Sequence, residues 1–149
     1  MSAVPLDSAE RSLREINALL SAIVENAPVA IYATRLDGTI SFWNPAAERT
    51  FGYTREEAIG QLAPFVPPEK RDEARRLRER VLAGETLAGL ELERRHADGT
   101  RIMINGSAAP LRDASGQVIG MLVACVDVSG SKRIAQEHEE HLHFTRALL

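Results

Sequence analysis

A chain of 149 residues with a formal charge of −3 at neutral pH has the length of one domain and offers nucleic acid no basic footprint. Its 44% hydrophobic and 26% charged residues place it among globular proteins with a proper core, while no apolar run approaches the roughly 18–20 residues that span a bilayer and the N-terminus lacks a signal-peptide pattern. One cysteine excludes an internal disulfide and suits a reducing compartment, so the expectation is a soluble, cytoplasmic chain with no membrane segment.

Residues 1–7 are small and polar and read as a loose end. Residues 8–25 carry Leu13, Ile16, Leu20 and Ile23 at helical spacing, which predicts a helix with a narrow apolar stripe, as in a coiled-coil seam. That stripe either packs on its own domain or pairs with another subunit. Asn26-Ala27-Pro28 ends the helix, because the residue before proline avoids the α region. Residues 29–34 predict a strand, and Asp37-Gly38 a tight hairpin into a second strand, Thr39-Ile40-Ser41-Phe42-Trp43.

Asn44 then stands where a helix cap belongs, and Pro45 at the first helical position, where a missing N–H costs nothing. Ala46, Ala47 and Phe51 give this short helix its apolar side, and Gly52 closes it in a left-handed conformation. Thr54-Arg55-Glu56-Glu57 has capping-box spacing and opens a second short helix that Gly60 stops. Pro64, Pro67 and Pro68 impose an irregular connection carrying Phe65 and Val66, before a helix over 68–83 with Gly84 as its stop. Its apolar face is thin: Ala74, Leu77, Val81 and Leu82. Arginines interleaved with Glu69, Asp72, Glu73 and Glu79 read as a solvated face rather than an anion site, with Asp72 and Arg76 at pairing distance.

Three long strands fill the second half. Residues 90–94 alternate, Asp98-Gly99 turns into 101–111, and Ala114-Ser115-Gly116 turns into 118–128, a nearly continuous apolar run that predicts a central strand. Two strands, a helical insert and three antiparallel strands make an α+β domain with one five-stranded antiparallel sheet and its helices gathered over one face. Residues 129–149 predict a C-terminal flanking helix. Its end, Leu142 to Leu149, matches Leu13 to Leu20 at its Leu and Ala positions, as though a further sensor domain began there.

Phe42-Trp43-Asn44-Pro45-Ala46-Ala47-Glu48, then Phe51-Gly52-Tyr53 and Glu57-Ala58-Ile59-Gly60, resemble the start of a PAS (Per-ARNT-Sim) sensory domain. Asp98-Gly99-Thr100 is similar to that family's turn between long strands, and Asp127-Val128-Ser129 to its exit. The resemblance implies a PAS fold over 26–129, with 1–25 a flanking dimerisation helix and 130–149 a signalling linker that leads into an output domain of the same polypeptide. It also implies a sheet curled around a cavity with the helical insert as lid.

Alternation then assigns the inward residues: Leu90, Leu92 and Arg94 from the third strand, Ile104, Gly106 and Ala108 from the fourth, Val123 and Cys125 from the fifth. Ile31, Phe42, Phe65, Leu77 and Val81 would close the space. Such a lining suits an apolar or aromatic small molecule, unless the side chains fill the space themselves. Light-sensing flavin members carry a reactive cysteine where this chain has Ala63, so no covalent flavin adduct can form. Haem-binding members supply a histidine from the long helix, and 68–83 contains none; their oxygen-sensing arginine falls at Leu90. The tryptophan of redox-flavin members is replaced by Leu87-Ala88, which disfavours that cofactor and leaves non-covalent flavin open.

Arg94, if it points inward, would hold a carboxylate or phosphate end of a ligand; the plainer reading is an exposed arginine at a strand end. Cys125 reads as a small buried hydrophobe more readily than as a redox sensor. His96 lies in a turn, and His138 and His141 share a helix face without a third ligand, so no metal site is expected. No nucleophile–base pair, phosphate loop or carboxylate constellation appears, and catalysis has little support. The expectation is a sensory module of a larger signalling protein, a histidine kinase or similar, that binds a small molecule and relays a change through Asp127 and Ser129. The alternatives are a ligand-free homodimerisation module built on Leu13, Ile16, Leu20 and Ile23, and a non-covalent flavin redox sensor.

Overall fold

The computed structural model describes residues 7–130. The predicted linker helix, with His138, His141 and the Leu142–Leu149 repeat, lies outside the described residues. Helix α1 (Ser8–Asn26) opens on Asp7, whose side chain accepts from the Glu10 amide at 2.7 Å. Strands β1 (Ala30–Arg35) and β2 (Ile40–Trp43) form the hairpin, with Gly38 at φ 89°. Its turn is held by Asp37, which accepts from both the amide and the hydroxyl of Thr39.

Helices α2 (Pro45–Phe51) and α3 (Arg55–Ala58) follow as their caps predict. Gly52 is left-handed at φ 80°, and Thr54 and Glu57 complete a reciprocal capping box. The helix expected over 68–83 divides into a 3₁₀ turn (Pro68–Lys70) and α4 (Arg71–Leu82), with Lys70 breaking the α geometry at φ −107°, ψ 1°. Strands β3 (Leu87–Arg95), β4 (Arg101–Arg112) and β5 (Val118–Asp127) complete the chain.

All five strands form one antiparallel sheet in the order β2-β1-β5-β4-β3, so the apolar β5 is central. One side of the sheet and the inserted helices enclose the core. Tyr32, Trp43, Phe51 and Phe65 interlock there, with Phe51 and Phe65 stacked at 4.2 Å between ring centres. Removing one such ring from a packed core costs about 3–5 kcal/mol. Asn44 is a fully buried polar residue at the β2–α2 junction. Its carbonyl accepts from the Ile31 and Ala47 amides at 2.9 Å, and its amide donates to the carbonyls of Val24 and Val29 at 3.0 Å. One side chain thereby joins the end of α1 to β1 and α2.

Two irregularities decide which side chains face inward. Thr34 pairs with Ile40 and Ala33 with Phe42, leaving Ser41 as an extra residue in β2. In β3 the register shifts between Leu87 and Leu90, with Gly89 at φ 66°, so both leucines join the inner layer although three positions apart.

Candidate functional site

Between α4 and the inner face of the sheet lies a cavity of about 290 Å³, at the lower end of the size range of small-molecule sites. The inward residues expected on β3, β4 and α4 line it: Leu77, Val81, Leu90, Leu92, Arg94, Ile104, Gly106 and Ala108, with Val123 from β5. Gly106 makes room by having no side chain, and a Cβ there would press on the Cβ of Cys125 at 3.0 Å. Arg71, Asp72, Arg75 and Arg78 form the rim on α4. There Asp72 pairs with Arg75 at 3.1 Å rather than with Arg76, the i,i+3 partner being the closer one on this helix.

Four assignments are corrected. Ile31 and Phe42 face away from the cavity, because directly paired residues share a face and Tyr32 opposes Trp43 inside while Ala33 opposes Phe42 outside. The extra residue in β2 reverses the parity that alternation assumes. Phe65 is fully buried in the aromatic cluster, where its ring fills space instead of bordering the void. Cys125 points inward but lies in the packed core at the level of Ala30 and Gly106, behind the lining. Burial pushes its thiol up to about 12, against a smaller lowering by Arg94.

Tyr32, Thr34 and Met121 also line the cavity without having been singled out in the sequence, as do Leu62 and Ser107. Both parities of β1 carry apolar side chains, so its pattern held no signal for Tyr32 or Thr34. The Thr34 hydroxyl is buried with no hydrogen-bond partner among the described residues.

Arg94 is 4% exposed, so the inward reading holds over the exposed one. Its Nη1 donates to the Glu93 carbonyl at 2.8 Å and stands 4.0 Å from the Glu73 carboxylate on α4, while Nε has no partner among the described residues. Burial lowers its pKa, opposed in part by Tyr32, Glu73 and Cys125. Tyr32 is itself held protonated, raised mainly by desolvation. On its other side Arg94 borders a polar depression rimmed by Glu69, Glu93, Arg95 and Arg101.

The far end of β5 carries the expected exit residues. Asp127 accepts from the Ser129 amide at 2.8 Å, and the Ser129 hydroxyl accepts from the Met103 amide at 2.9 Å. The exit is thus bonded to β4 next to Ile104, a cavity residue. Leu13, Ile16, Leu20 and Ile23 on α1 are all more than half exposed, as is Leu19. His96 stands in the β3–β4 turn, where its Nδ1 accepts from the Asp98 amide. Among the described residues no three His, Cys, Asp or Glu side chains gather as a metal site would require, and no helix is long and apolar enough to cross a membrane.

A family model described as the PAS fold matches residues 18–128. The chain belongs to the PAS family. A solved PAS domain from Colwellia psychrerythraea superposes with a TM-score of 0.71 at 25% identity, covering 77% of this chain and 98% of that one. The C4-dicarboxylate transport sensor protein DctS of Rhodobacter capsulatus is 29% identical over 147 residues, 95% of this chain and 22% of that protein. The histidine-protein kinase AtoS of Escherichia coli is 29% identical over 122 residues, 82% of this chain and 20% of that protein. This PAS chain therefore spans about a fifth of the length of those relatives.

Proposed function

We propose that the chain is the sensory module of a larger signalling protein, which binds a small, mainly apolar molecule in the sheet cavity and relays its presence through the exit after β5. The observation that carries this reading is the space itself: a cavity of about 290 Å³ whose walls come from β1, β3, β4, β5 and α4. A core serving stability alone would be packed to crystal-like density, because each void forfeits dispersion contacts. The likeness to two sensor proteins, one of them a histidine kinase, supports a signalling context with an output domain in the same polypeptide.

The role of this module is binding, not catalysis. The family resemblance puts Ala63, which lines the cavity, where light-sensing flavin members carry their reactive cysteine, and this supports a non-covalent ligand. The relay has a physical route: Ile104 borders the cavity, and the Met103 amide beside it holds the Ser129 hydroxyl. An occupant that shifts β4 changes the exit geometry, provided it binds two arrangements of the strand with different affinity. A buried free cysteine is in keeping with the reducing cytoplasm.

The test is a melting series of the purified chain against a panel of small metabolites, repeated on Ala108→Phe. Ala108 lines the cavity, and a ring there occupies it. Shifts seen with the native chain and lost in Ala108→Phe support the reading; a panel that moves neither sinks it.

A second reading has its own observation. The apolar stripe of α1 is exposed against the described residues, which suits pairing with the same helix of a second copy. Leu20→Glu should then convert a dimer to a monomer in sedimentation at tens of micromolar; a native chain that sediments as a monomer there ends this reading.

A further inference from the structure

Resting on the ligand-binding reading, the geometry points to the class of ligand: we infer that the cavity takes a monocarboxylate, its acid group paired with Arg94 and its apolar body against Leu90, Leu92, Ile104 and Val123. An arginine at 4% exposure is stable only when its guanidinium is paired and hydrogen-bonded on its several N–H groups. Arg94 is neither fully paired nor fully bonded. One carbonyl takes Nη1, Glu73 stands at 4.0 Å without a hydrogen bond, and Nε is left over. The polar neighbours Tyr32 and Cys125 bring no negative charge, since burial keeps both protonated. A carboxylate arriving from the cavity would supply the missing acceptor in the planar geometry that guanidinium favours.

The rest of the wall limits the charge to one. Among the described lining residues, Arg94 is the buried charged side chain; Arg71, Asp72, Arg75 and Arg78 sit at the rim, exposed or half-exposed. A phosphate dianion would bring a second charge that the interior does not balance. Thr34 is a second, neutral polar group in the wall. The residue is 4% exposed, its hydroxyl has no partner among the described residues, and it borders the same void. Through the ladder it lies level with Met121 and Pro110, whereas Arg94 lies level with Ile102, toward the other end of β4. Thr34 thus stands well apart from the acid-binding end, and the assignment rests on Arg94. Glu73 rides on α4, so a ligand acid that takes over Arg94 releases an ion pair between the lid and β3.

Calorimetric titration of the full chain with phenylacetate and hexanoate, against the neutral phenylacetamide and hexanamide, tests this. The acids should bind at least about tenfold more tightly than their amides, the usual gain of a charge-assisted hydrogen bond. Arg94→Met should erase that preference, leave amide binding in place, and raise the melting temperature of the ligand-free chain by removing a poorly compensated charge. Equal affinity for acids and amides would overturn the monocarboxylate assignment while leaving the cavity reading intact; binding of neither would overturn both. A lower melting temperature or a failure to fold in Arg94→Met would mark the arginine as structural and overturn the assignment as well.

Discussion

Truncating Asn44 to alanine should remove more stability than any other polar truncation among the described residues. The side chain is 0% exposed and makes four hydrogen bonds, to Ile31, Ala47, Val24 and Val29, all between 2.9 and 3.0 Å. Each intramolecular bond contributes about 0.5–1.5 kcal/mol net, and a buried group left without its partner costs about 1–3 kcal/mol. The Ala47 amide is an orphan donor of the first turn of α2, and losing a cap of this kind costs about 1 kcal/mol. Water reaches some of the freed groups, so the whole loss should fall near 3–5 kcal/mol, a large share of the ~5–15 kcal/mol typical of a domain. The single tryptophan, Trp43, is 1% exposed and adjacent, so its fluorescence follows unfolding in urea directly. Asn44→Asp sharpens the test, because it keeps the acceptor but turns a carboxylate toward the carbonyls of Val24 and Val29. Its loss should be largest at neutral pH and shrink as the acid protonates. An Asn44→Ala chain within about 1 kcal/mol of the native one would refute the reasoning that these four bonds are made inside a dry core.

Three further predictions follow the same logic. Ser129→Ala should speed hydrogen exchange at the Met103 amide and cost about 0.5–1.5 kcal/mol, since that amide donates to the Ser129 hydroxyl; unchanged exchange would remove the exit bond from the relay. Asp37, Asp98 and Asp113 are all held below the ordinary carboxylate value of 3.8, chiefly by hydroxyl bonds from Thr39, Thr100 and Ser115. Because their folded values are depressed, that stabilisation is complete above 3.8 and disappears as pH falls through the lower folded values, so Asp113→Asn should flatten the acid limb of the urea midpoint against pH. The Cys125 thiol, buried and pushed up to about 12, should resist aromatic disulfide reagents until the chain unfolds; rapid labelling of the native chain would contradict its placement.

What was legible in the sequence were the features set within a few residues. Asp37-Gly38-Thr39, Asn44-Pro45 and the Thr54–Glu57 box each contain both partners of the interaction that shapes them. The central place of β5 also showed in its nearly continuous apolar run, although Ile119, Leu122 and Val126 stay exposed among the described residues. The inner faces of β3 and β4 followed from alternation. Phe42 was misplaced because one extra residue at Ser41 inverts the parity of β2, which nothing in Ile40-Ser41-Phe42-Trp43 announces; Ile31 was misplaced because both parities of β1 carry apolar side chains. Phe65 and Cys125 were given the right direction but the wrong depth, since depth depends on what packs in front. The burial of Arg94 is equally non-local. It arises where α4 brings Glu73 over a strand end that, taken alone, reads as exposed. What covers the α1 stripe was undecided in the sequence because a coiled-coil seam and a packing face use the same spacing.

The most direct measurement of the central claim is native mass spectrometry of the chain after incubation with a small-acid panel, beside Ala108→Phe. The account predicts a non-covalent adduct of one small molecule per chain in the native protein, absent from Ala108→Phe even though Trp43 remains buried in both. An adduct that survives in Ala108→Phe, or a native chain that never carries one, would contradict it.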